Sequence, residues 1–175
     1  MKSEPLRIVG LCVLAAIIYG EIHDQITVRI CVEYFSVFHP DIFYTTNPTF
    51  LAIGWGFVAT WWMGAILGVL MAASARATDT PKVSAKELLG PISILLLFMA
   101  IGAIVAGWIG SSIHRWQPAL GVVPLDNVEA GKFYTCFFAH NASYDVAFVG
   151  AMVINVWIIQ KRKRLKASPT SNSVE

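Results

Sequence analysis

Charge is scarce in this chain. Only 14% of its 175 residues are Asp, Glu, Lys or Arg, where soluble domains carry about a quarter. That scarcity argues against a soluble globular domain. The net charge of +2 is too small to leave a footprint for nucleic acid, so no such partner is expected. Cysteine is sparse as well: Cys12, Cys31 and Cys136 form no C-x-x-C and no even-numbered framework. Cys12 lies within an apolar segment and reads as a packed thiol. Cys31 and Cys136 read as buried free thiols, with a disulfide between them as the alternative. H-E-x-x-H and matched E-x-x-H pairs, the signatures of helical metalloenzymes, are absent. No repeat is visible, and no motif carries the chain into a characterised family.

What the chain has is hydrophobicity. Apolar residues make up 56% of it, and the mean hydropathy is +0.62. Four apolar segments are marked. The first runs from about Leu6 through a charged cluster, Glu21-Ile22-His23-Asp24-Gln25, to near Tyr34. The second, Phe50 to Ala73, and the third, Leu88 to Ile113, contain no charged residue. The fourth, about Tyr134 to Gln160, is interrupted by His140, Asn141 and Asp145. The second and third are each long enough to cross a bilayer, and Gly64-x-x-x-Gly68 fits a close helix contact. A signal peptide is the rival reading for the first segment, with Lys2 and Arg7 before Ile8–Ile18. The lack of a small-x-small cleavage site before Glu21 favours a retained helix.

The expected fold is therefore all-α, an integral membrane antiparallel bundle of four transmembrane helices. The helices are placed at about 6–34, 50–74, 88–114 and 134–160 within a domain of residues 1–166, and 167–175 is read as a disordered cytoplasmic tail. Orientation follows from Lys and Arg. Ten lie at the N-terminus, in the second-to-third loop and after the fourth segment, against only Arg29, Arg115 and Lys132 elsewhere. That asymmetry places both termini in the cytoplasm, in a plasma or inner membrane. Lys161–Lys166 then reads as a topology anchor touching anionic lipid.

The first segment is cut short by charge. The thirteen residues from Ile8 to Gly20 rise only about 20 Å as a helix, against a hydrocarbon core of about 30 Å. Glu21, His23 and Asp24 thus fall within the outer leaflet, and Asp145, sixteen residues before Lys161, falls near the same depth. Ionisable groups at that level mark a functional site by default. Helical spacing puts Glu21, Gln25, Arg29 and Glu33 on one ladder, where Arg29 can pair with Glu33. His23 and Thr27 share another face. On the fourth helix His140 pairs with Tyr144, and Asn141 with Asp145. His114 closes the third helix, and His39 falls in the first outer loop; both read as interface residues. The sequon Asn141-Ala142-Ser143 sits at membrane level, a poor glycosylation acceptor.

His23, Asp24, His140 and Asp145 are the candidate catalytic residues, the imidazoles as acid/base groups or ligands and the carboxylates as their partners. The same four, with Glu21, Glu33 and His114, are the candidate metal ligands for a divalent ion. Haem held by two histidines and a quinone headgroup are the other cofactors this chemistry allows. The leading functional reading is a metal- or cofactor-binding site, redox or hydrolytic, in the outer leaflet. A non-catalytic assembly subunit and a small proton or cation transporter are the alternatives. The expected partners are the lipid bilayer and a second copy or another membrane protein. The residue pattern does not choose between an enzyme and a structural subunit.

Overall fold

The computed structural model describes residues 3–113 and 127–167. His114 lies outside the described residues, as does the tail from residue 168 onward. Helices α1 (Glu4–Ile30), α2 (Val32–Ser36), α3 (Pro48–Arg76), α4 (Ala85–Ile113) and α5 (Asn127–Ala167) follow in order, and no strand occurs among the described residues. All but the short α2 are long and apolar enough to cross a membrane. Large apolar side chains line their outer faces: Leu6, Ile104 and Trp108 are each more than 70% exposed. A helix hydrophobic on all sides suits lipid, not water. The architecture is the expected four-helix bundle.

The helix starts are written locally. Pro48 opens α3 behind Asn47, whose side chain accepts from the backbone N–H of Thr49 and Phe50 at 3.0 and 3.2 Å. At the start of α4 the Glu87 carboxylate reaches back to Ser84, accepting from its N–H and its hydroxyl at 2.9 and 2.8 Å.

Small residues bring α1 onto α3. Gly56, Gly64 and Gly68 recur at multiples of four, so they share one face of α3. A Cβ at Gly56 would stand 2.6 Å from Glu21 Cα, and one at Gly64 would stand 2.8 Å from the Cys12 carbonyl. On α1, Gly20 meets the Gly56 carbonyl in the same way. The Gly64–Gly68 contact expected from sequence is part of this seam. On the other side of the bundle, Gly107 of α4 lies against the Thr135 carbonyl of α5.

The end of the bundle holds the N-terminus and the α3–α4 connection, here called the lower end. Glu4 accepts from the Ala85 N–H at 2.8 Å, and Lys161 pairs with Glu87 at 2.7 Å. Arg162, read from sequence as part of a topology anchor touching anionic lipid, is buried instead. Its guanidinium donates to the carbonyls of Pro81, Ser74 and Ala77 and to the hydroxyls of Thr78 and Thr80. It thereby takes up carbonyls that the end of α3 leaves without helical partners.

At the upper end the first helix does not run on to Tyr34 as expected. It breaks at Cys31, whose backbone is extended (φ −147°, ψ 96°). The short α2 then folds back over the bundle and buries Tyr34 and Phe35. This break also undoes the expected Arg29–Glu33 pair. Arg29 donates to Gln25 Oε1 at 2.6 Å and to Thr49 Oγ1 at 3.1 Å, while Glu33 accepts from the Cys31 thiol at 3.6 Å. All three cysteines are buried thiols.

Candidate functional site

Three side chains from two helices meet beneath α2. His23 and Asp24 come from α1 and His140 from α5. One donor atom from each lies within 4.8 Å of the others. Asp24 is only 4% exposed. The His23 and His140 rings meet edge to face, with centroids 4.5 Å apart.

The hydrogen bonds of His140 fix its tautomer. Its Nδ1 lies 2.7 Å from the Cys136 carbonyl, which can only accept, so Nδ1 carries a proton. Its Nε2 lies 3.0 Å from Asp24 Oδ1. In a neutral imidazole that nitrogen presents a lone pair, and an ionised carboxylate presents only lone pairs. Something positive must lie between them, either a proton or a metal cation. His23 adds a second unsatisfied valence: its Nε2 is buried without a hydrogen-bond partner among the described protein groups. A buried polar atom left unpaired is expensive and calls for an explanation.

The surroundings hold these groups in place. Tyr34 of α2 packs 4.9 Å from the His140 ring and Phe35 5.7 Å from it. Burial pushes the Tyr34 phenol above its ordinary range, which keeps it neutral. Below, Tyr19 stacks on His23 at 5.7 Å, and its hydroxyl bonds Ser143 Oγ at 2.8 Å. The Tyr144 hydroxyl donates to the Ala59 carbonyl at 3.3 Å. The Cys136 thiol donates to the Thr27 carbonyl at 3.3 Å, tying α5 to α1 one turn from His140.

Two cavities meet at this triad. Asp24 and His140 line both, with Tyr144 and Ala59 beside them. The upper cavity, about 260 Å³, is roofed by Tyr34, Phe35, His39 and Trp55. The lower one, about 100 Å³, runs down between the helices with an almost wholly apolar lining. His39, read from sequence as an interface residue, is drawn into the roof because its Nδ1 bonds the Tyr34 carbonyl at 2.6 Å.

The other candidate residues lie elsewhere. Asp145 is exposed on α5. It follows His140 by five residues, which at about 100° per residue turns it some 140° away. Glu21 stands two residues from His23, and its backbone faces the α3 seam. Glu33 lies on α2, beyond the break at Cys31, and accepts from the Cys31 thiol. Sequence reasoning passed over Tyr19, Ser143 and Trp55; for the first two, only their helical spacing from His23 and His140 could have pointed to them. No protein-family model, no curated protein and no solved structure matches this chain.

Proposed function

We propose that this protein binds a divalent transition-metal ion within the bilayer through His23 Nε2, Asp24 and His140 Nε2. The observation that supports it best is the His140–Asp24 contact at 3.0 Å with Nδ1 already committed to a carbonyl. A metal-ligating histidine commonly donates its other ring N–H to a backbone carbonyl, and His140 does so. The buried, unpartnered Nε2 of His23 favours a metal over a proton, because a proton shared between two groups leaves the third unanswered. Zinc holds imidazole nitrogen at about 2.0–2.1 Å, which sets tetrahedral donors about 3.4 Å apart. Small rotations of the imidazoles bring donors within 4.8 Å to that separation.

Two histidines and one carboxylate leave coordination positions open, the pattern of catalytic zinc and of non-haem iron. Such an ion polarises a bound oxygen or lowers the pKa of bound water. The site therefore supports hydrolytic or redox chemistry on a ligand that reaches it within the membrane. Haem does not suit it, since imidazoles 4.5 Å apart leave no room for a macrocycle between them. Nor does the lining of the lower cavity continue a polar pathway for ions.

The site lies toward the non-cytoplasmic face in the orientation that the Lys and Arg distribution favours. Metal analysis of detergent-purified protein tests the proposal. About one zinc or iron per chain is expected, with metal affinity weakened by more than about tenfold in His140→Ala, since loss of an outer-shell partner alone costs that much, and unchanged in Asp145→Asn. Wild-type protein without bound metal, after growth with both metals supplied, overturns the proposal.

A further inference from the structure

The upper cavity differs from the lower one in size and in its walls. Its volume is about 260 Å³, whereas a cavity of about 150 Å³ already takes up benzene. One substituted six-membered ring therefore fits, and flat faces to receive it are present. Tyr34, Phe35, His39, Trp55 and Phe137 supply walls, with Asp24 and His140 at the floor. The wall rings brace one another: the His39 centroid lies 4.7 Å from that of Trp55 and 5.0 Å from that of Tyr34. An aromatic guest can stack on such faces or meet them edge-on. The cavity opens between α3 and α5, where Phe137 and Asn141 line it and are themselves exposed.

Two polar groups on these walls are unpaired. Tyr34 is buried, at 8% exposure, yet its hydroxyl has no hydrogen-bond partner among the described residues. It is not sealed in protein as the Tyr134 hydroxyl is, so the space it reaches is the cavity that Tyr34 lines. His39 gives its Nδ1 proton to the Tyr34 carbonyl at 2.6 Å, so Nε2 of the neutral ring presents a lone pair. That nitrogen also has no partner among the described residues. A donor and an acceptor on neighbouring rings complement a hydroxyl group, which accepts from one and donates to the other. The floor does not make this a cage for a quaternary ammonium. Asp24 already faces a proton or a metal ion shared with His140, and no free negative charge is left for a cation.

We propose that the upper cavity binds a hydroxylated single aromatic ring, a phenol or hydroquinone, whose hydroxyl accepts from Tyr34 Oη and donates to His39 Nε2. A ring held there lies over the floor of Asp24 and His140. Its presentation to an ion rests on the proposed metal site, while the ring site rests on the cavity and its two unpaired groups. Free phenols from water and phenols carrying a chain in the lipid share this chemistry. The two arms of the test separate them.

The test is calorimetric titration of the full chain in phosphatidylcholine nanodiscs, with partition into empty nanodiscs subtracted. One arm uses phenol and the other 4-decylphenol. Saturable binding of about one ring per chain is expected in at least one arm. Tighter binding of the decyl form identifies a membrane phenol, and equal or weaker binding identifies a free one. Benzene lacks the hydroxyl and cyclohexanol lacks the flat ring. Each is expected to bind wild-type protein at least about threefold more weakly than phenol does. Tyr34→Phe is expected to weaken phenol binding about threefold to tenfold, the range of one neutral hydrogen bond, and to leave benzene binding unchanged. Should that variant not fold, the ligand series on wild-type protein decides without it. The inference is overturned by the absence of saturable binding in both arms. It is overturned equally by benzene or cyclohexanol binding as tightly as phenol, or by equal phenol affinity in Tyr34→Phe and wild type. Phenol binding in a protein that takes up no metal upholds the ring site and removes the metal reading; bound metal without phenol binding does the reverse.

Discussion

Each of the three residues at the triad depends on the other two. Asp24 is nearly inaccessible, and a buried carboxylate needs a compensating positive group. Asp24→Asn takes away the negative charge that draws a cation to the site. It is expected to weaken zinc affinity by at least about tenfold, read by competition with a chromophoric chelator. The amide keeps the shape of the carboxyl group it replaces, so the melting temperature of the metal-free protein should move little by comparison. Equal zinc affinity in Asp24→Asn and wild type would remove Asp24 from the site. At the same scale, Arg162 at the lower end makes five hydrogen bonds from a buried position. Arg162→Ala strands the carbonyls of Ser74, Ala77 and Pro81. Since a hydrogen bond to a charged group contributes about 1.5–3 kcal/mol, a loss of at least about 2 kcal/mol is expected in denaturant titration. A change below about 0.5 kcal/mol, the level of an ordinary surface substitution, would contradict it.

Among the elements, the contact of α1 with α3 is the most sensitive to volume. A Cβ at Gly64 meets backbone atoms of Cys12 and Val13 within 2.9 Å, and backbone cannot swing aside. Gly64→Val is expected to destabilise the bundle by about 1–3 kcal/mol. Gly10 provides the contrast, since a Cβ there meets nothing within 4 Å. Gly10→Ala is expected to be neutral or stabilising by up to about 1 kcal/mol. Thermal unfolding of both variants in one detergent checks the pair, and a stable Gly64→Val would mean the helices do not approach so closely. This seam was legible in the sequence because small residues at every fourth position leave a visible stripe. The break at Cys31 was not. Residues 21–34 keep helical spacing throughout, and the turn of α2 is set by what Tyr34 and Phe35 pack against on α5. Long-range packing of that kind leaves no local mark.

The same distinction runs through the candidate site. The depth of His23, Asp24 and His140 could be reckoned from helix rise alone, because charge inside an apolar run is conspicuous. Depth does not give direction. Asp145, placed near that depth from sequence, lies about 7.5 Å further along α5 than His140 and points off around the helix, so rise and rotation together separate it from the triad. His39 shows the reverse, a loop residue carried inward when its ring bonds the Tyr34 carbonyl. Arg162 was hidden by its company, since four other basic residues surround it in the sequence.

For the whole molecule, the proposed orientation has four helices across a bilayer with the triad in the half away from the cytoplasm. Native thiols are buried, so introduced cysteines can be read against a low background. Asp41→Cys in the upper loop is expected to react with a membrane-impermeant maleimide in intact cells, and Ser173→Cys only after permeabilisation. The opposite pattern would invert the orientation. The chemistry proposed for the site is most directly tested by X-ray absorption spectroscopy of the zinc-loaded protein. Nitrogen and oxygen scatterers at about 2.0–2.1 Å, with the outer-shell signature of two imidazoles reduced to one in His23→Ala, are the predicted result. A sulfur shell near about 2.3 Å, or imidazole scattering that His23→Ala leaves untouched, would contradict it.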